Sequence, residues 1–280
     1  MPEAVIVAAA RTPMGAFQGE LATARAPELG AHAIRAALAR ATDGTAPPPV
    51  DEVVLGNVVS AGLKQAPARQ ATLLAGLPEG TPATTINKVC GSGMRALMLA
   101  TDGIRAGSAR LVVAGGMESM TNAPYLLPDA RAGHRMGHGR TWDALFLDGL
   151  EDAATGRAMG TFAQESADAH QLGREEMDAY ATRSLERAVR ARADGAFSAE
   201  IAPVTVRERK GDRTIDSDEQ PRRADPARIP DLRPAFRTDG TITAANSSSI
   251  SDGAAALLIA EADHARTLGL PVRARIVAHT

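Results

Sequence analysis

The sequence is poor in several residue types, and each shortage excludes a class of protein. Among 280 residues there is one cysteine, so no disulfide can form within the chain. Aromatic residues make up only 3%, and 31 basic against 33 acidic residues give a net charge of -2 without a separate basic cluster. No apolar run could span a bilayer, and nothing at the start resembles a signal or transit peptide. We therefore expect a cytoplasmic protein with no nucleic-acid partner and no membrane partner.

The hydrophobic content of 44% is enough for a substantial core. Apolar runs predict strands at 4–9, 51–59, 83–87, 110–114, 254–260 and 273–278, and helical periodicity or a leading proline predicts helices at 27–40, 67–75, 93–105 and 261–268. This alternation predicts an α/β fold with a mostly parallel sheet and helices on both faces. Between 121 and 244 the alternation gives way to an irregular segment, with helices predicted near 156–170 and 175–193.

The single cysteine, Cys90, follows one of the predicted strands and precedes the helix at 93–105. We expect it at the start of that helix, after a central strand. Amide donors and the positive end of the helix dipole favour a thiolate there, and Lys88 acts in the same direction. Gly91 and Gly93 leave room for a substrate and ease a sharp turn. A lone cysteine is otherwise often a small buried apolar residue, but this setting favours a nucleophile.

Four segments resemble the thiolase family, whose members make or cleave 3-ketoacyl-CoA thioesters. Residues Asn87 to Ala96 match the nucleophile motif of that family, and the other matches are Ala10 to Gly15, Gly115 to Met120 and Asn246 to Ala256. They occur in family order along essentially the whole chain. The resemblance implies a thiolase-like layered α-β-α fold with an inserted, partly helical loop domain.

The resemblance also implies domain boundaries. Residues 1–119 would begin the N-terminal domain, 120–244 would form a loop domain for CoA binding and tetramerisation, 245–268 would complete the N-terminal domain, and 269–280 would start a truncated C-terminal domain. The second cysteine of the family, its Gly-His-Pro motif and its Asn-Glu-Ala-Phe segment are expected beyond Thr280. The strand at 273–278 would then lack its crossover partners. We therefore expect exposed apolar surface in 254–280.

The activity implied by the resemblance is that of an acetyl-CoA C-acetyltransferase or 3-ketoacyl-CoA thiolase. Cys90 would carry the acyl group, and its own backbone amide would supply part of an oxyanion hole. A CoA thioester would be the substrate, with no cofactor, and the full-length family forms homodimers or homotetramers. One alternative is a catalytically incomplete remnant or subunit that binds CoA or pairs with a chain supplying the missing half. Another is a decarboxylating ketosynthase, which shares the cysteine turn.

Five further positions match the family's contacts with CoA. Met159 would lie near the adenine end, although a core methionine on a helix face fits equally well. Ala244 and Ser248 would line the pantetheine arm, with Ser248 bonding one of its amides, although serine-rich loops are usually turns. Phe236 would form an apolar wall, and Arg222 would either meet the nucleotide phosphates or be solvated.

A pair of histidines, His134 and His138, raises the possibility of a metal site. They lack cysteine or carboxylate partners at ligand spacing, so no metal is expected. This region resembles the loop through which two thiolase dimers form a tetramer.

Overall fold

The computed structural model describes residues 2–209 and 211–280. These residues divide into two compact units. Unit 1 comprises the chain up to Asn122, the segment 200–217 and the segment Ser251–Thr280, and unit 2 comprises Ala123–Ala199 and Asp218–Ile250. The domain boundaries implied by the resemblance stay a prediction.

In chain order the strands are β1 (Ala4–Arg11), β2 (Gly15–Ala16), β3 (Glu52–Gly56), β4 (Ala83–Ile86), β5 (Leu111–Ser119), β6 (Tyr125–Leu126), β7 (Trp142–Asp143), β8 (Val204–Glu208), β9 (Gly211–Ile215), β10 (Ser251–Glu261) and β11 (Ala274–Arg275). The helices are α1 (Ala26–Ala41), α2 (Pro67–Leu74), α3 (Ser92–Ala106), α4 (Met159–Ala169), α5 (Arg174–Ala193), α6 (Gln220–Arg223) and α7 (Ala262–Thr267). Each predicted strand and helix corresponds to one of these elements, and the predicted α/β fold class is confirmed.

The main sheet of unit 1 has the order β11-β1-β10-β5-β3-β4, and β2 pairs with β10. Its side chains alternate between two apolar layers, which α1 and α2 cover on one face and α3 covers on the other. The first layer includes Leu29, Ile34, Val53, Val113 and Leu258, and the second includes Val54, Ala96, Ile104, Val112 and Ile259. The fold is therefore the expected layered α-β-α arrangement.

The main sheet is mixed, which corrects the prediction of a mostly parallel sheet: of its six described strand pairs, β3–β4 and β3–β5 are parallel and the other four are antiparallel. Strands β3, β4 and β5 pair in parallel, but β10 is antiparallel to both of its long neighbours, β5 and β1. The reason lies in the connection: Asp252 pairs with Ser119, so the chain re-enters the sheet beside the point where it left. The two strands have the topology of a hairpin whose connection is the segment 120–250, and a hairpin requires antiparallel strands.

The expectation that Cys90 follows a central strand is wrong. Its strand, β4, is the last in the sheet order, and in the described part of the chain it pairs with β3. The sequence carries a sign of this position, because Ala83-Thr84-Thr85-Ile86 is half polar, whereas the inner strand β3 contains the apolar run Val53-Val54-Leu55. The α2 crossover carries the chain outward to β4, and α3 carries it back past β3 to β5.

The expectation of exposed apolar surface in 254–280 holds only for the last part of that range. Strand β10 is inside the sheet, and Leu258 and Ile259 are fully buried. The predicted strand at 273–278 is reduced to the two-residue β11, which pairs with β1 at the other end of the sheet. Beside it, Val272 and Val277 are exposed.

Unit 2 contains α4, α5, α6 and the small β6–β7 pair. Helix α5 is largely solvated, with acidic residues in its first turn and Arg190 and Arg192 in its last, which complements the helix dipole. No helix in the described ranges is both long and apolar enough to cross a membrane.

Candidate active site

Cys90 lies in the turn between β4 and α3, and its side chain is exposed. The alternative of a small buried residue is therefore wrong. Because α3 begins at Ser92 with Gly91 as its N-cap, the sulfur belongs to the residue just before the cap. The first-turn amides of a helix can stabilise negative charge that develops next to them. This is the placement at a helix start that the sequence predicts.

The turn is held by a dense set of short hydrogen bonds. The Val89 amide donates to Asn87 Oδ1 (2.8 Å), and the Gly91 amide donates to the Lys88 carbonyl (3.0 Å). The buried Ser92 hydroxyl accepts from the Lys88 amide (2.8 Å) and donates to the Val89 carbonyl (2.6 Å). Ser92 thus bonds to both residues that precede Cys90.

One residue of this turn is conformationally strained. Val89 has φ of +47°, in the left-handed region that β-branched residues avoid. Such a conformation costs of order 1–3 kcal/mol and persists only where the surroundings enforce it. The bonds from Asn87 and Ser92 to the Val89 backbone provide that enforcement.

Glycines allow the start of α3 to lie directly on the sheet. A Cβ atom at Gly56, the last residue of β3, would be 2.6 Å from Ser92 Cβ. A Cβ atom at Gly116 of β5 would lie 3.6 Å from Gly93 Cα. The helix start is therefore fixed by backbone contact, which leaves the preceding residue little freedom.

In unit 2, two of the predicted CoA-contact residues lie at one end of α4. Met159 is the first residue of that helix and is 46% exposed, so it is not a core methionine. The Phe236 ring lies against Gly160, where an added Cβ would be 2.0 Å from Cζ. Phe236 is itself 38% exposed. The two residues thus present apolar surface to solvent from neighbouring positions.

Ala244 and Ser248, the other predicted pantetheine contacts, are exposed on the loop 241–248. The amide side chains of the buried Gln164 and the half-buried Asn246 hold this loop. Gln164 Oε1 accepts from the amides of Thr241 (2.8 Å) and Ile242 (3.1 Å). Asn246 Oδ1 accepts from the Thr243 amide (2.7 Å), and its Nδ2 donates to Asp178 Oδ1 (3.1 Å) and the Thr241 carbonyl (3.0 Å).

Comparison with known proteins decides the family. The sequence model of the thiolase N-terminal domain matches residues 4–263. The chain belongs to the thiolase family.

Curated thiolase relatives resemble the chain along nearly all of its length. An acetyl-CoA acetyltransferase of Pseudomonas aeruginosa is 50% identical over 100% of this chain and 71% of its own length. One of Chromobacterium violaceum is 49% identical over 96% of this chain and 68% of its own length. Acetyl-CoA acetyltransferase 2 of Arabidopsis thaliana is 49% identical over 97% and 68%, respectively. Thiolase-type acyl transfer is accordingly the family function, and the alternative of an incomplete remnant is not favoured.

The thiolase assignment leaves Arg222 and the two histidines to be placed. Arg222 is exposed in α6, and its Nε donates to the Asp218 carbonyl (3.3 Å). His134 and His138 are exposed in the segment after Pro128–Ala132. Within the residues that the structure describes, no group of three or more His, Cys, Asp or Glu side chains is arranged to hold a metal ion.

Several residues that hold the Cys90 turn in unit 1 or the loop 241–248 in unit 2 were missed by sequence reasoning. Ser92 and Asn246 stand inside the matched motifs, where a short polar side chain beside a turn is the available signal. Gln164 and Asp178 are buried polar residues of largely exposed helices, and Arg174 Nε lies 2.6 Å from Asp178 Oδ2. Their partners are distant in sequence, so no local pattern indicates them.

Proposed function

We propose that Cys90 is the nucleophile of a thiolase-type acyltransferase that moves an acyl group, acetyl in the simplest case, between 3-ketoacyl-CoA or acetyl-CoA and CoA. One observation carries this proposal: the only cysteine of a thiolase-family chain is exposed at the start of the helix that follows β4. The names of the relatives, acetyl-CoA acetyltransferase, support acetyl-CoA as a substrate.

The acylation step balances for both donors. With acetyl-CoA, the Cys90 thiolate attacks the thioester carbonyl, a new carbon–sulfur bond forms, the bond between the acyl carbon and the CoA sulfur breaks, and CoA leaves as a thiolate that takes up a proton. With a 3-ketoacyl-CoA, the thiolate attacks the 3-keto carbonyl, the bond between C2 and C3 breaks, and the acetyl-CoA carbanion leaves and takes up a proton. Negative charge develops on the carbonyl oxygen during the attack, and backbone amides at the start of α3 are suited to stabilise it.

The CoA portion of the substrate is assigned to unit 2. Met159 and Phe236 offer exposed apolar surface for the adenine end and the pantetheine arm, and Ser248 offers a hydroxyl on a loop held by the side chains of Gln164 and Asn246. Ala244 is small and leaves space on the same loop. Arg222 is exposed and positively charged, which suits the nucleotide phosphates.

The remaining features of the proposal follow the sequence expectations. The CoA thioester is a substrate, and the proposal uses no further cofactor. A reducing cytoplasm would keep the thiol usable. A homodimer or homotetramer is proposed from the family resemblance.

The test is direct detection of the acyl-enzyme. The purified chain is mixed with acetyl-CoA or acetoacetyl-CoA and quenched, and its intact mass and peptides are measured together with the released product. We expect one acetyl group, located on Cys90, and an equal amount of released product, which is CoA when acetyl-CoA is the donor and acetyl-CoA when acetoacetyl-CoA is the donor. Cys90→Ala is the control and should gain none. Acetyl groups spread over lysines, or no acylation of a chain whose Cys90 still reacts with iodoacetamide, would refute the proposal.

A further inference from the structure

The motif Gly115 to Met120 contains a half-buried carboxylate to which the proposed reaction assigns no role. Glu118, the penultimate residue of β5, points its carboxylate at the residues that follow β3. Oε2 accepts from the Val58 amide (2.8 Å), and Oε1 accepts from Asn57 Nδ2 (2.7 Å) and the Val59 amide (3.3 Å). One side chain thus holds the whole segment 57–59.

The placement of this charge is costly. Burial raises the pKa of Glu118 above its usual range, the nearby Asp252 carboxylate raises it further, and the bonds from Val58, Val59 and Asn57 act in the opposite direction. A carboxylate kept in such surroundings is a candidate for a role in a functional site.

The segment 57–59 is in turn bonded to the start of the Cys90 turn. The Asn57 amide donates to the Ile86 carbonyl (3.0 Å), which extends the β3–β4 ladder by one bond. Asn87 Nδ2 donates to the Val58 carbonyl at 3.5 Å, a long bond, while Asn87 Oδ1 accepts from the Val89 amide at 2.8 Å. The path from Glu118 therefore ends one residue before Cys90, at the strained Val89.

Strand direction explains why these groups meet. Because β5, β3 and β4 are parallel and adjacent, Glu118, Asn57 and Asn87 all lie at the carboxyl ends of their strands. This is the edge of the sheet at which open α/β folds place their chemistry.

We infer that Glu118 is a positioning residue for Cys90, acting through the segment 57–59 and Asn87. The inference rests on the proposed role of Cys90. Loss of the Glu118 bonds would release the segment 57–59 and, with it, the support of Asn87 for the Val89 conformation. The thiol would then be held less well against the amide end of α3.

The experiment uses the fact that the chain has one cysteine, so iodoacetamide reports on Cys90 alone. The alkylation rate at neutral pH is measured in the native protein and in urea. Dividing the native rate by the rate in urea corrects for the reactivity that the thiol has in an unfolded chain. Glu118→Gln should lower this ratio about threefold to fivefold, the factor by which one helix terminus stabilises a neighbouring charge. Asp252→Asn is the matched control, because Asp252 is a buried carboxylate beside Glu118 whose bonds lead to Ser119 and Thr121 instead. Its ratio should stay within about twofold of the wild-type value.

A purely structural role is separated from positioning by a double-mutant cycle. If Glu118 acts through Asn87, Glu118→Gln should have little further effect in an Asn87→Ala background; additive effects would overturn the inference. An unchanged ratio in Glu118→Gln, or an equal loss in Asp252→Asn, would overturn it as well. Should Glu118→Gln not fold, Glu118→Asp, which withdraws the carboxylate by one methylene, takes its place in the same cycle. Acetylation of wild-type Cys90 is measured in the separate acyl-enzyme experiment, which uses no Glu118 variant. Failure of the proposed function and failure of this inference are therefore distinguishable.

Discussion

The Cys90 turn of unit 1 and the loop 241–248 of unit 2 are held by different means. The turn rests on short hydrogen bonds among its own residues, including the side chains of Asn87 and Ser92, and on glycines that bring α3 against the sheet. The loop is held by the amide side chains of Gln164 and Asn246, and Asn246 is bonded to Asp178. The proposed nucleophile is thus held by bonds within its own turn and by close packing, whereas the proposed CoA-binding loop depends on polar side chains of α4 and α5.

Because the two regions are held differently, we expect them to tolerate different kinds of substitution. Close-packed backbone has no room for an added methyl group, because no flexible atom can move aside. A polar network has room for small changes but not for the loss of a partner, because a buried amide is then left unpaired. Three glycines and one glutamine allow this distinction to be tested.

The largest expected effect comes from Gly115→Ala in unit 1. The new Cβ would be 2.0 Å from the Ala255 carbonyl oxygen, so the central pair β5–β10 would have to separate. We expect a loss of about 3 kcal/mol or more in the free energy of unfolding of unit 1. Urea unfolding, read by hydrogen exchange in β5 and β10, measures it. Stability within about 1 kcal/mol of wild type would show that the sheet can yield.

Two control glycines sharpen that result. Gly160→Ala also places its Cβ at 2.0 Å from another atom, but that atom belongs to the exposed Phe236 ring, which can rotate away. Gly80→Ala has open space around its Cβ. Both should change the free energy of unfolding by less than about 1 kcal/mol. Gly160→Ala should instead weaken CoA binding if Phe236 forms part of the proposed site.

The next largest effect is expected from Gln164→Leu in unit 2. The leucine fills a similar volume but leaves the amides of Thr241 and Ile242 without their acceptor. Each unpaired buried group costs about 1–3 kcal/mol, so hydrogen exchange of these two amides should accelerate strongly. Alkylation of Cys90 should not change, since the turn has its own supports. Unaltered exchange at Thr241 and Ile242 would contradict the role given to Gln164.

Hydrophobic patterns in the sequence predict most of unit 1, because its long strands and helices, such as β1, β5, β10 and α1, bury many of their apolar side chains. They do not predict the order of the strands. The edge position of β4 and the reversed direction of β10 depend on how crossovers and the long connection place the strands, which no single segment encodes. The one local sign that β4 lies at the edge of the sheet is its half-polar composition, which is due to Thr84 and Thr85.

The site itself could be predicted only in part. Cys90 and its helix start are local features, so the sequence suffices to place them. The hydrogen bonds made by the side chains of Glu118, Gln164 and Asn246 join residues that are far apart in the chain. The Glu118 carboxylate, for example, accepts from the Val58 and Val59 amides about sixty positions away. Such pairs become visible only when the strands and helices are in place.

The smallest expected effect is a pH dependence of stability that originates in Glu118. Its pKa is raised in the folded chain, chiefly by burial and also by Asp252 on β10. As the pH rises above the ordinary glutamate pKa, the unfolded chain releases this proton first and the folded chain retains it. The folded state then binds more protons, so the free energy of unfolding falls with rising pH until the raised pKa is passed, and levels off.

Asp168, whose pKa is lowered by Arg237, acts in the opposite sense at lower pH. The quantity to compare is therefore the difference in the free energy of unfolding between wild type and Glu118→Gln. That difference should grow in favour of the variant across the window, with a slope of at most about 1.4 kcal/mol per pH unit for a single group. Urea unfolding from about pH 4 to about pH 7 measures it. Asp252→Asn, which removes the neighbouring charge, should make the decline shallower, whereas a difference that is constant across the window would show that Glu118 is as well solvated in the folded chain as in the unfolded one.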